Sequence, residues 1–261
     1  MHPLDSANRK TARAYVHIRT LEAAIRRYAR GPKVTFSRQG IVDDPSRRLG
    51  NIGATHNLYT LEIDPSIRAN CGLIIGDILS NLNAALDHIA WVLAVKYADG
   101  RGRPLEKKEA QGVKFPLRLE QCDKPFHGGL GKKDLKLLLP AAWDTIERFQ
   151  PYNIAKWPEL KLLDVLRHLT NEDKHRVVTP VRIVVDLSLR SDGQAMIRLD
   201  NVDKFPLVVR SIRDDFEPQP TFDVSLYVSS LSPNPLPVSE FRRIHNFIRD
   251  ELIPAFVSFF P

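Results

Sequence analysis

Cysteine is scarce in this chain. Cys71 and Cys122 are the two thiols among 261 residues, far apart and without the spacing of a metal or redox motif. This excludes a disulfide-built scaffold and a thiolate metal cluster, and it fits a reducing compartment. No run of about 20 apolar residues is legible, so no membrane span is expected. The first stretch, Met1 to Tyr15, lacks the apolar core of a signal peptide. The expected location is cytoplasmic.

Other absences narrow the chemistry. Gly128-Gly129-x-Gly131 lacks the spacing of a Walker or dinucleotide loop and follows no clear strand. There is no Gly-x-Ser-x-Gly elbow, no His-Glu-x-x-His and no Glu-x-x-His at di-iron spacing. Internal repeats and low-complexity tracts are missing as well. These residues imply no metal and no cofactor.

What the chain does have is positive charge. Thirty-eight Lys and Arg oppose 31 Asp and Glu, a formal charge of +7 and a pI near 9.5. Such a balance favours an anionic partner, nucleic acid first. Tyr15, Ile18, Leu21, Ile25 and Tyr28 recur at helical spacing, predicting a helix from Ser6 to Arg30 that Gly31-Pro32 stops. Its outer face carries Arg9, Lys10, Arg13, Arg19, Arg26, Arg27 and Arg30. That face is either simply solvated or the contact for an anionic polymer.

Residues 34–38 and 57–63 alternate like two strands. Asp64-Pro65-Ser66 then signals a strong helix start, and Ile75, Ile78, Leu79, Leu82, Leu86, Ile89 and Leu93 form a broad apolar band up to about Tyr97. Residues 99–133 read as an excursion with little regular structure. Helical pattern resumes over 133–149 and again from Pro158 to 171–175, the second helix expected to pack on the long one. Segments 178–189, 195–199, 207–212 and 222–228 have period two, and Pro237-Val238-Ser239 opens a last helix. Trp91, Trp143 and Trp157 read as core or pocket walls. The expected fold class is α+β: a helical bundle around a long central helix, with an antiparallel sheet formed mainly by the C-terminal third. One domain is expected over 1–261, mainly helical over 1–175, stranded over 176–232 and closed by a helix over 237–258.

Two of these helices carry a polar line beside their apolar band. At about 100° per residue, Asn70, Asp77, Asn81 and His88 fall within roughly 40°, and Asp164, His168, Asn171 and His175 within roughly 60°. Amides, carboxylates and imidazoles can hydrogen-bond and titrate, whereas a solvated face is usually Lys and Glu. Asp173-Lys174-His175-Arg176 adds cations at a helix end, where the helix dipole favours them as a cap. The functional alternative is an anion site. There His175 transfers a proton, Lys174 or Arg176 holds charge, Asp173 orients a neighbour, and His88 is the second acid–base group. Asp77, Asn81, Asn171 and Arg176 would bind substrate in the same pocket. The same groups could instead form a buried network that fixes helix register.

The run from Gly76 to His88, Phe115-Pro116, Gln150-Pro151-Tyr152 and the run from Asn171 to Arg176 resemble a widespread group of uncharacterised bacterial proteins. That group pairs a GD-x-L-x-N-L-x-x-ALDH helix with a later N-x-DKHR segment, and the resemblance implies no reaction. Arg167 and His175 also resemble the arginine and histidine of HEPN nucleases, helical bundles that cleave RNA without metal, although the interval is longer here. The expected function is therefore a metal-independent ribonuclease, or another phosphoester-acting enzyme with paired histidines. The alternatives are a non-catalytic nucleic-acid- or protein-binding module and an enzyme acting on a small molecule. Nucleic acid is the expected partner, no membrane is, and a homo-oligomer stays open.

Overall fold

The computed structural model describes residues 2–30, 34–42, 55–64, 66–118, 135–153, 159–175, 181–188, 196–200, 204–211, 219–226 and 236–260. Two compact units divide the chain. The first comprises Met1–Arg19, Leu73–Thr179 and Ser239–Pro261, the second Thr20–Gly72 and Pro180–Val238.

Helix α1 spans Asp5–Arg30. Leu4, Ala7, Thr11, Ala14, Ile18 and Leu21 recur every three or four residues and are buried. Helix α2, Ser66–Gly100, starts where Asp64 offers its carboxylate oxygen to the Ser66 N–H at 2.8 Å. It ends at Gly102, whose φ of 69° lies in the left-handed region. The Arg103 N–H there returns to the Ala98 carbonyl at 3.3 Å, satisfying a carbonyl the helix would otherwise leave open. By length and composition α2 is apolar enough to cross a membrane, and half of that stretch is buried inside the protein. Its Ile75, Ile78, Leu79, Leu82, Leu86, Ile89 and Leu93 are all core residues.

The excursion after α2 contains a short helix, α3, Lys107–Gly112, closed by a reciprocal Glu106 and Glu109 capping box. Pro140–Ala142 forms a single 3-10 turn that runs into α4, Trp143–Arg148. Helix α5, Leu160–His175, buries Leu160, Leu162, Leu163, Val165, Leu166 and Leu169. Helix α6, Val238–Phe247, continues into a π-helical turn over Ile248–Leu252 and a 3-10 segment over Pro254–Phe259. Phe115, Phe149, Phe247 and Phe256 meet at ring separations of 6.0 to 6.4 Å in the core of the first unit. The C-terminal segment is held by Lys96, whose Nζ donates to the Phe259 carbonyl at 2.6 Å and lies over the Phe260 ring.

The expected fold class is corrected here. The first unit is helical and contains no strand among its described residues, so no antiparallel sheet lies within the bundle. Strands β1 (Val34–Val42), β2 (Thr55–Ile63), β3 (Val181–Ser188), β4 (Met196–Asp200), β5 (Lys204–Ser211), β6 (Gln219–Leu226) and β7 (Leu236–Pro237) belong to the second unit. They do not form the one C-terminal sheet expected. Strand β5 pairs with β2 in the order β1-β2-β5, leaving β4-β3-β6-β7 as a separate sheet. The physical reason is that period-two alternation specifies a strand and its inward face but not its partner. Trp91 is a second correction: it is 40% exposed rather than a core or pocket wall. Trp143 is half-buried and donates its indole N–H to the Leu138 carbonyl at 3.2 Å, while Trp157 lies outside the described residues.

Candidate anion-binding site

On α2, Asp77, Asn81 and His88 share one side, as their spacing requires. Asp77 is exposed, with a carboxylate oxygen 3.8 Å from His17 Nδ1 on α1. Asn81 donates its amide to the Asp77 backbone carbonyl at 2.8 Å, and His88 is half-buried. Asn171, Asp173, Lys174 and His175 occupy the last turn of α5, but their side chains, like all of Arg176, lie outside the described residues. The expected convergence of these eight residues on one pocket therefore rests on groups outside the described set.

The motif residues that the described structure does bring together are different ones. Asp87 accepts the Asn83 amide at 2.9 Å on one oxygen and the Phe115 backbone N–H at 3.1 Å on the other. Gln150, fully buried, accepts the Arg118 N–H at 2.9 Å and donates to the carbonyls of Pro116 and Ile146, each at 2.9 Å. Asp87 and Gln150 thus pin residues 115–118 from two sides. Both Asp87 oxygens and both ends of the Gln150 amide find partners, as burial demands. This joint is structural.

Asp164 and His168 on α5 stand one turn apart, Oδ1 to Nε2 3.2 Å, at an angle outside hydrogen-bond geometry. Burial pushes the Asp164 carboxyl above the usual aspartate range, while His168, Arg167 and Lys161 pull it down. Among the described residues, no group of three His, Cys, Asp or Glu side chains is placed to hold a metal ion.

A richer cluster forms where α1 meets α6. Tyr15 and Arg19 are one turn apart on α1, and Arg242 comes from α6 with its Cζ 5.7 Å from the Tyr15 ring centre. Arg19, and after it Arg242, hold the Tyr15 phenol below the usual tyrosine pKa. His245, 2% exposed, lies against the same ring with centroids 5.2 Å apart and planes tilted by 32°. Its Nδ1 stands 3.0 Å from the Asn246 side-chain oxygen, the arrangement of a neutral ring donating from Nδ1. Burial lowers the His245 pKa, so neutrality is favoured. Arg249 and Asp250, next along the chain, satisfy each other through two contacts of 2.6 Å.

Tyr15 stands in the helical spacing of α1 and Arg19 on its basic face, whereas no sequence motif marks Arg242 or His245. The available signal was the placement of Arg242, Arg243, His245 and Arg249 on an otherwise amphipathic closing helix. Their meeting with Tyr15 is a long-range fact that no periodicity carries. No family model, curated protein or solved structure matches this chain.

Proposed function

We propose that this protein binds nucleic acid, single-stranded RNA in particular, and that the arginine-bearing side of α1 is the contact. The observation that carries this reading is that Arg9, Arg13 and Arg19 are all exposed along α1. Guanidinium groups are suited to phosphate through their forked donors. The formal charge of +7 supports the same partner.

Fluorescence anisotropy of a labelled oligoribonucleotide, repeated over a range of salt concentrations, tests the reading. Binding that weakens steeply with salt is expected, because each neutralised phosphate releases counterion. Absence of binding at low salt would overturn it. A second reading, metal-independent RNA cleavage by His88 and His175 with Lys174 and Asp173, is supported by the half-burial of His88 beside the Asp77 and Asn81 line. Incubating the same RNA with a chelator decides it. Cleavage that persists and is lost in His175→Ala establishes the enzyme, and intact RNA retires it.

A further inference from the structure

Four large apolar side chains are exposed among the described residues, and two of them, Leu73 at 59% and Trp91 at 40%, belong to α2. A single exposed apolar residue is ordinary on a protein surface. These two stand eighteen residues apart, a whole number of helical turns, so they mark the ends of one line about 27 Å long. Asp77, Ser80, Ala84 and His88 lie between them within about 80° of arc. Asp77 and Ser80 are exposed, and Ala84 and His88 are half-buried. Ile78, Leu82 and Leu86 fill the opposite side of the helix and are buried.

The order of residues along this stripe is self-complementary. Leu73 and Trp91 are equidistant from residue 82, as are Ser80 and Ala84, while Asp77 and His88 are equidistant from a point half a residue further on. A second copy of α2 laid antiparallel on the first, with the two-fold axis near residue 82, sets Leu73 against Trp91, Ser80 against Ala84 and Asp77 against His88. Each of these pairs is then made twice. Leucine and tryptophan supply apolar contact at both ends. The small side chains of Ser80 and Ala84 keep the centre low, so the helix axes can approach to about 8 Å. The Asp77 side chain is 63% exposed, with His17 Nδ1 3.8 Å away, and its carboxylate can accept an imidazole N–H from the other copy. A parallel pairing would set Asp77 on Asp77 and His88 on His88, like against like. A lipid surface fits less well, because a carboxylate and an imidazole interrupt the apolar line.

We propose that this protein forms an antiparallel homodimer in which the stripe of α2 from Leu73 to Trp91 packs on the same stripe of a second copy. The dimer goes beyond the RNA-binding reading and does not depend on it.

Sedimentation equilibrium of the full chain tests the pairing. Wild type should show a concentration-dependent equilibrium between monomer and dimer. Leu73→Lys and Trp91→Glu should each weaken the dimer more than about tenfold, since the two-fold axis counts every lost contact twice. Ser80→Arg, at an exposed position, should do the same by holding the helices apart, and it replaces Trp91→Glu as the second disrupting variant should the latter fail to fold. Val257→Glu, at an exposed apolar position outside α2, should dimerise like wild type. Mixing Leu73→Lys with Trp91→Glu in equal amounts should restore dimer. Only an antiparallel heterodimer sets the new cation against the new carboxylate while keeping an original Leu73 and Trp91 contact at its other end. A wild type that stays monomeric up to about 100 µM overturns the dimer, as does unchanged association in Leu73→Lys and Ser80→Arg. Weakened single variants that do not recover on mixing overturn the antiparallel pairing. A monomeric wild type that floats with phosphatidylcholine vesicles, and loses this in Leu73→Lys, assigns the stripe to a membrane instead.

Discussion

His245 is nearly completely buried beside Tyr15, and desolvation lowers its pKa; nearby Arg249 and Arg242 act in the same direction, while Asn246 and Asp250 oppose. The unfolded chain binds the proton more readily than the folded one. Stability from this residue is thus fully present above the unfolded histidine value of about 6.5 and is lost as pH falls toward the folded value. Thermal melts between about pH 5 and 8 should show that loss, and His245→Phe, which keeps an aromatic ring against Tyr15, should flatten it. Asp164 has the opposite sign. Its pKa is raised, so the charged carboxylate is a cost that grows as pH rises through the folded value. Asp164→Asn should raise the melting temperature at neutral pH more than near pH 4. The gain should stay under about 1 kcal/mol because the side chain is partly solvated. Burial raises the Cys71 thiol to about 11, so it should resist alkylation at pH 8 in the native protein and react on unfolding.

At the scale of elements, the joint around residues 115–118 is the most demanding polar feature of the first unit. Gln150→Ala strands the Arg118 N–H and the Pro116 carbonyl, a loss of about 2–3 kcal/mol measurable by denaturant unfolding. Asp87→Asn keeps an oxygen able to accept from Phe115 and should cost clearly less than Asp87→Ala. Local signals were readable in advance: Asp64 as the start of α2 caps Ser66, and the Leu and Ile bands of α2 and α5 are buried. The resemblance grouped the Asp87 helix with Phe115-Pro116 and Gln150-Pro151-Tyr152, yet it could not say that these are bonded to one another. The pairing of β5 with β2 was equally illegible, since pattern fixes which face of a strand turns inward and leaves its partner to long-range packing. Tyr15 and Arg242 meet from opposite ends of the chain, so the candidate site escaped a reading built on neighbours in sequence. The apparent site line on α2 was legible as a line only, with Asn81 turned back onto its own helix.

For the whole molecule, the proposal is that a positively charged chain presents the arginines of α1 to a phosphate backbone. Its charge is strong enough that weak, sequence-independent attraction to any polyanion is expected. Salt dependence alone would therefore not distinguish a built site from a diffuse field. The decisive measurement is the salt dependence of oligoribonucleotide affinity for wild type and the Arg9→Gln, Arg13→Gln, Arg19→Gln triple variant. The account predicts a loss of well over tenfold at moderate salt and a slope reduced by about three, for the removal of only three of 38 basic residues. An affinity and slope that match the wild type, with both proteins folded, would contradict it.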